Sequence, residues 1–366
     1  MKHKGRGAVS NRSSRFMPFQ SEPDGGSAEG KPASVFYREQ AVSIITRNQS
    51  PDVPFDYSIN PYRGCEHGCI YCFARPNHAY VDLSPGLDFE TRIFVKENAA
   101  ERLERSLRRP GYRPSPITLG TATDPYQPVE AERRITRQLL QVLVRYRHPF
   151  SLITKSTLVT RDLDLLAEAA RHDLVSVVLS ITTLDNPLKA RLEPRTASGE
   201  GRLRAVAALA GAGVPVGVMV APLIPWINDG ELETILERSR QAGAGWAGYI
   251  LLRLPREVAP LFEEWLQAHY PQRTQRVLNT LRECRGGQLY RSEFGSRMRG
   301  EGVYARLLGD RFRRACERLE LSPATRPQPA AHRFRIPVSA LTPEQEPGLK
   351  PDTADSPQLT LFDNVP

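Results

Sequence analysis

The chain has 366 residues, 40% hydrophobic and 25% charged, with a net charge of +9. This is ordinary for a soluble globular protein and long enough for one large α/β domain with tails or for two smaller domains. No apolar run approaches the roughly 18 residues of a membrane span, and the basic start Met1–Arg6 leads into no apolar signal segment, so a cytoplasmic protein without membrane attachment is expected. Five cysteines, three of them clustered, fit a reducing compartment better than a disulfide framework. The positive balance favours polyanionic partners such as DNA or RNA, because neutralising phosphates releases counterions. Arginine-rich usage also follows from a GC-rich genome, and both readings stay open.

Residues 1–33 are rich in Gly, Ser, Pro and basic side chains, and Lys2, Lys4, Arg6, Arg12 and Arg15 precede any acidic residue. This composition predicts a disordered basic arm. From about residue 34 to 320, short β-type runs alternate with amphipathic stretches. Strands are predicted near Tyr57–Asn60, Pro116–Gly120, Phe150–Thr154, Val175–Thr182, Pro215–Ala221 and Ala247–Leu252. Helices are predicted over Glu97–Arg108, Ala131–Arg147, Arg161–Ala170, Gly201–Ala212 and Gly230–Ala242, the fourth closed by a glycine stop at Gly211 and Gly213. Six such βα units suggest an α/β fold, an open (β/α)6 partial TIM-type barrel with flexible N- and C-terminal tails. A doubly wound sheet would give a similar alternation. In either, ligands gather beyond the carboxyl ends of the strands. Residues 256–320 form a helical, basic extension, and 321–366 a flexible tail.

The loop after the first predicted strand holds Cys65-Glu66-His67-Gly68-Cys69-Ile70-Tyr71-Cys72, a C-x3-C-x2-C spacing. Structural zinc takes four protein ligands and most iron–sulfur clusters take four cysteines. The remaining Cys284 and Cys316 lie far downstream. Three thiolates leave one metal position vacant. A zinc knuckle completed by His67 or His78, or buried cysteines without metal, are the alternatives. With an aromatic residue before the last cysteine, the motif resembles the radical S-adenosylmethionine (SAM) superfamily. That resemblance implies a [4Fe-4S] cluster on Cys65, Cys69 and Cys72, SAM chelated at the unique iron, and reductive cleavage to a 5'-deoxyadenosyl radical. It also implies an electron donor such as flavodoxin or ferredoxin.

Asn60-Pro61-Tyr62-Arg63-Gly64-Cys65, Thr123-Asp124-Pro125-Tyr126-Gln127-Pro128 and Glu193-Pro194-Arg195-Thr196 look closest to the spore photoproduct lyase-like, DNA-repair-photolyase-related branch, over roughly residues 55–255. In family terms Thr121, Thr123 and Asp124 meet the SAM ammonium, Lys155 meets a carboxylate or phosphate, and Ser180 and Thr182 touch ribose or methionine. Arg195 forks the SAM carboxylate beside Glu193, and Tyr71 packs on adenine. The bland counterparts are an Asx or Pro turn at Asp124, a solvated Lys155, a Glu193–Arg195 surface pair and core packing of Tyr71. The branch uses a cysteine near the second strand as hydrogen donor. None occurs here between Cys72 and Cys284, so direct thymine-dimer reversal by that route would need Cys284 or Tyr126 as a substitute.

Tyr290–Gly302 interleaves aromatics with arginines and precedes a helix carrying Arg311, Arg313, Arg314 and Arg318, which suits nucleic acid. A cover over the barrel's open side, with arginines paired to acids, is equally compatible. Gln358-Leu359-Thr360-Leu361-Phe362 resembles the pentapeptide that bacterial repair proteins insert into the β sliding clamp, an apolar anchor on a tether. The expectation is a radical SAM enzyme acting on nucleic acid. The alternatives are such an enzyme acting on a peptide or metabolite, or a non-catalytic, metal-stabilised nucleic-acid-binding protein.

Overall fold

The computed structural model describes residues 5–16, 33–321 and 326–337. Its strands are β1 (Val35–Arg38), β2 (Ile45–Arg47), β3 (Tyr57–Ile59), β4 (Tyr62–Arg63), β5 (Arg92–Val95), β6 (Ile117–Leu119), β7 (Phe150–Thr154), β8 (Val175–Ser180), β9 (Val216–Leu223) and β10 (Trp246–Leu251). Its helices are α1 (Leu87–Thr91), α2 (Ala99–Leu107), α3 (Glu130–Arg133), α4 (Ile135–Arg145), α5 (Leu163–Ala170), α6 (Asn186–Leu192), α7 (Gly199–Gly211), α8 (Leu232–Gln241), α9 (Val258–His269), α10 (Pro271–Glu283) and α11 (Gly302–Leu319).

The main sheet runs β10-β9-β8-β7-β6-β3-β2, with β3 and β6–β10 parallel and β2 antiparallel at one edge. All six predicted strands are these parallel strands, and β2 and β10 remain separate edges. The fold is the open (β/α)6 partial barrel. Burial explains the strand sequences: every residue of β8, VSVVLS, is buried, as expected where a parallel strand is covered on both faces. The core joins the strands to α2, α4, α5, α7 and α8 through residues such as Leu103, Leu139, Leu166, Val206 and Leu236.

Several elements differ from the sequence expectation. A small sheet, β1-β5-β4, lies outside the barrel sequence pattern. The predicted helix 131–147 divides into α3 and α4 at Arg134, whose φ of +51° breaks the helical path. There Glu130 turns inward to accept from Thr136 N at 3.0 Å and Arg161 Nη2 at 2.7 Å.

Both predicted tails are partly docked. Residues 5–16 lie across the cysteine loop, with Ala8 buried, and Arg12 and Arg15 pair with Glu264 and Glu257. Further along, Ala330 N donates to Asp173 O at 2.8 Å and Arg335 N to Tyr146 O at 3.0 Å. The extension covers the β10 edge: Leu251 N donates to Met298 O at 2.9 Å, and α11 packs on α8 and β10. Arg311 and Arg318 pair with Glu233 and Glu237, and Arg313 with Asp310, so most of these arginines follow the cover reading. Among the described residues no helix is long and apolar enough to cross a membrane.

Burial lowers His148 from 6.5 to about 4, while it bonds Tyr112 Oη at 2.8 Å and packs on Phe334. The unfolded chain then binds more protons between these values, so His148 favours folding above pH 6.5 and loses that contribution as pH falls toward 4. Urea denaturation across this range should show a loss on the order of 3 kcal/mol from this group. A His148→Gln protein should lose that part of the slope; an unchanged slope would place the imidazole in water.

Candidate active site

The cysteine loop follows β4 and is fixed from beneath by one buried cation. Arg75 donates Nε to Cys69 O at 3.0 Å, Nη2 to Gly68 O at 3.3 Å, and Nη1 to Pro85 O and Gly86 O at 3.0 and 2.9 Å. Its charge is met by Glu90 at 2.5 Å, with both side chains fully buried. Glu90 also accepts from Gly7 N and Ala8 N at 2.9 and 2.8 Å, clamping the N-terminal segment over the loop. At Gly68, whose φ is +65°, an added Cβ would lie 2.6 Å from Glu90 Oε2. From above, Ile70 N donates to Leu192 O and Arg195 N to His67 O, at 3.0 and 3.3 Å.

The three thiols are close enough for Cys69 and Cys72 to oppose ionisation of Cys65. Burial is the main cause there, and burial followed by Glu193 pushes Cys69 up to about 12. A metal centre bound here must displace these protons, since the thiolate is the ligand. Among the described residues no three His, Cys, Asp or Glu side chains converge on a single ion. His78 is engaged elsewhere, its Nε2 2.9 Å from Arg92 O and its ring against Phe89 and Phe94, and burial lowers it to about 4. His67 Nδ1 lies 3.3 Å from Asp124. The donor set therefore fits a three-cysteine cluster better than a closed zinc knuckle.

The β6 loop is tied to the cysteine loop. Thr123 Oγ1 donates to Gly64 O at 2.6 Å, and Asn60 Oδ1 accepts from Thr121 N at 3.1 Å. Asp124 Oδ1 accepts from Thr154 Oγ1 and Tyr126 N, at 2.7 and 2.9 Å, while Oδ2 accepts from Lys155 N at 2.8 Å. Burial opposes its ionisation, but His67 and these donors hold it below the usual carboxylate range. Asp124 is thus the Asx turn weighed in the sequence, locking the β6 loop to the end of β7.

A second cluster sits beside Cys69. Lys155 Nζ donates to Thr182 Oγ1 and Ala221 O, each at 3.1 Å, lies 3.6 Å from Glu193, and sits 5.5 Å from the centre of the Tyr71 ring. Tyr71 Oη donates to Glu193, and Thr182 Oγ1 lies 3.1 Å from the same carboxylate. Arg202, which the sequence reading did not single out, is the main partner of Glu193 and also donates Nη1 to Ser180 O at 2.8 Å. Against the cost of burial, Arg202 and Lys155 hold Glu193 at about 2. The Glu193–Arg195 surface pair, the bland alternative, is not formed. Arg195 instead pairs with Glu66 at 3.0 Å and, with His67, Ser156, Thr157 and Arg161, lines an open cavity of about 480 Å³.

Removing one partner of a fully buried ion pair leaves an uncompensated charge. Arg202→Met should lower unfolding free energy by about 3–5 kcal/mol in urea denaturation, and adding Glu193→Gln should recover part of that loss. Equal losses in the single and double variants would show that the guanidinium acts through packing alone.

The sequence model of the radical SAM superfamily matches residues 59–238. An uncharacterised protein of Mycobacterium tuberculosis (strain ATCC 25618 / H37Rv) is 39% identical over 263 residues, 70% of this chain and 77% of its own length. One from Methanocaldococcus jannaschii is 28% identical over 223 residues, 61% of this chain and 80% of its own. Among solved structures, spore photoproduct lyase complexed with dinucleoside spore photoproduct has a similar fold, with a TM-score of 0.55 at 17% identity, over 78% of this chain and 79% of that one. A variant of that lyase with AdoMet bound superposes with a TM-score of 0.54 at 17% identity, over 78% of each chain. The chain belongs to the radical SAM superfamily, a family that implies S-adenosylmethionine and a [4Fe-4S] cluster.

Proposed function

We propose that this chain is an enzyme that holds a [4Fe-4S] cluster on Cys65, Cys69 and Cys72 and acts on nucleic acid, in repair or modification. The observation that carries the enzymatic part is the set of three free thiols within eight residues, on one clamped loop, at the carboxyl ends of six parallel strands. When bound, the cluster and SAM supply a reductively generated 5'-deoxyadenosyl radical. The chain's own groups do the rest. Lys155 and Arg195 offer cationic donors for the SAM carboxylate, while Tyr71, Thr182 and Ser180 line the neighbouring wall. Asp124 and Glu193, whose oxygens are engaged by protein donors, hold Lys155, Tyr71 and Thr154 in place and so act as positioning residues.

Nucleic acid is supported by the net charge of +9 and by Phe73, which follows the last cysteine and is 42% exposed. A protein of this fold has been solved with a dinucleoside photoproduct. Hydrogen return by a cysteine is not part of the proposal: Cys284 is buried against Leu251, Ala305 and Leu308, and Tyr126 donates to Asp162 in the interior. Flavodoxin or ferredoxin is the proposed class of electron donor.

After anaerobic reconstitution, the parent protein with dithionite should release 5'-deoxyadenosine from SAM, and Cys69→Ala should fall to the level of a protein-free control. A folded, iron-loaded parent that releases none, with or without single- and double-stranded DNA, would sink the enzymatic reading. Action on a peptide or metabolite would be marked by release stimulated by those compounds and by no salt-sensitive oligonucleotide binding.

Gln358–Phe362 lies outside the described residues; we propose that it docks on the β sliding clamp. Deleting residues 357–366 should abolish capture of this chain on immobilised clamp, and equal capture of the shortened chain would refute it.

A further inference from the structure

Among the described residues five arginines are buried: Arg75, Arg202, Arg253, Arg285 and Arg297. Three meet a carboxylate: Arg75 meets Glu90, Arg202 meets Glu193 and Arg297 meets Asp52. This is the usual arrangement, since a guanidinium removed from water is retained at low cost only beside a counter-charge. Arg253 and Arg285 make no ion pair with any carboxylate of the described residues, and both lie at the carboxyl end of β10.

Arg285, 2% exposed, caps backbone: Nη1 donates to Arg297 O at 3.0 Å, and Nη2 to Leu251 O and Leu252 O at 3.3 and 2.8 Å. Burial, then the adjacent Arg253 charge, lowers it to about 10. Arg253, 8% exposed, has poorer partners. Its Nη1 reaches only the Met298 thioether at 3.4 Å, its Nη2 only Tyr290 Oη at 3.3 Å, and its Nε has no acceptor. The guanidinium lies 5.6 Å from the ring centre of Phe73 and 5.9 Å from that of Tyr290. One side of this position is therefore the residue directly after Cys72, and the other is the aromatic C-terminal segment.

We propose that Arg253 is a substrate phosphate site, taking a phosphodiester of single-stranded nucleic acid while an adjacent base stacks on the exposed face of Phe73. This rests on the nucleic-acid reading above and names the part of the site that would carry it. The chemistry favours phosphate because a planar guanidinium with donors lacking strong acceptors matches its oxygens, and the flexible thioether of Met298 is a weak partner for an entering anion to displace. The aromatic neighbours favour a nucleotide over a free anion, since every base offers a face to stack. Arg285 adds positive potential from behind without itself reaching the mouth.

The test uses the full, anaerobically reconstituted chain and a short fluorescein-labelled single-stranded deoxyoligonucleotide, read by anisotropy across a salt series, with an oligoglutamate peptide of equal charge as competitor. Arg253→Met should weaken oligonucleotide binding roughly tenfold and make the logarithmic salt slope shallower by about 0.7, the share of one single-strand phosphate contact. Because the variant replaces an unneutralised buried charge with an apolar chain, its melting temperature should stay level or rise, in contrast to Arg202→Met. SAM affinity should be unchanged. A parent that binds oligonucleotide and an Arg253→Met protein that binds it equally well, with the same slope, would overturn this site while leaving the nucleic-acid reading intact. A parent that binds no oligonucleotide would overturn both. A large fall in melting temperature, a loss of SAM affinity, or competition by oligoglutamate as strong as by unlabelled oligonucleotide would each assign Arg253 to another task and overturn the proposal.

Discussion

The buried Arg75–Glu90 pair is the constraint on which the cysteine loop depends. A single guanidinium satisfies four backbone carbonyls of the loop and its flank, and a single carboxylate satisfies that guanidinium and two amides of the N-terminal segment. Without Glu90 the cation would sit unneutralised in the interior. Without Arg75, Gly68 O, Pro85 O and Gly86 O would lose this donor and Cys69 O would keep Cys72 N. Both losses would fall on the segment that carries Cys69 and on the N-terminal strip that covers it.

A second buried pair, Arg202–Glu193, does for the ends of β7 and β8 what the first does for the loop. It fixes Tyr71 from the cysteine motif, Thr182 from the end of β8 and Lys155 from the end of β7 around one carboxylate. Three chain segments thus share one electrostatic anchor. The contrast with Arg253 is chemical as well as positional: Arg75 and Arg202 meet carboxylates within the fold, whereas Arg253 meets none among the described residues and lies beside Phe73.

The six parallel strands were legible because buried parallel strands read as continuous β-branched and apolar runs, as in Val175–Ser180 and Val216–Ala221. The cysteine motif was legible because its information is local spacing. The small sheet was not: β4 has two residues, and β1 is mostly exposed, so neither carries a hydrophobic period. Arg202 was invisible for a related reason. It sits in a helix beside a second arginine, Arg204, and only the tertiary fold reveals that a carboxylate nine residues earlier turns back to meet it. Residues 5–16 read as disorder from their Gly, Ser and basic composition, since their order is supplied by Glu90, Glu257 and Glu264, far along the chain.

That last feature bears on the order in which the molecule forms. The β-strands and their following helices make contacts between near neighbours in sequence, whereas the segment over the cysteine loop closes across separations of 83 and 82 residues to Glu90. Contacts of that span form after local units, because the entropy of closing the intervening chain must be met first. Closing this cover therefore costs more chain entropy than pairing neighbouring strands. Lifting residues 5–16 off Glu90, Glu257 and Glu264 would uncover the cysteine loop to an incoming metal and to oxidants alike.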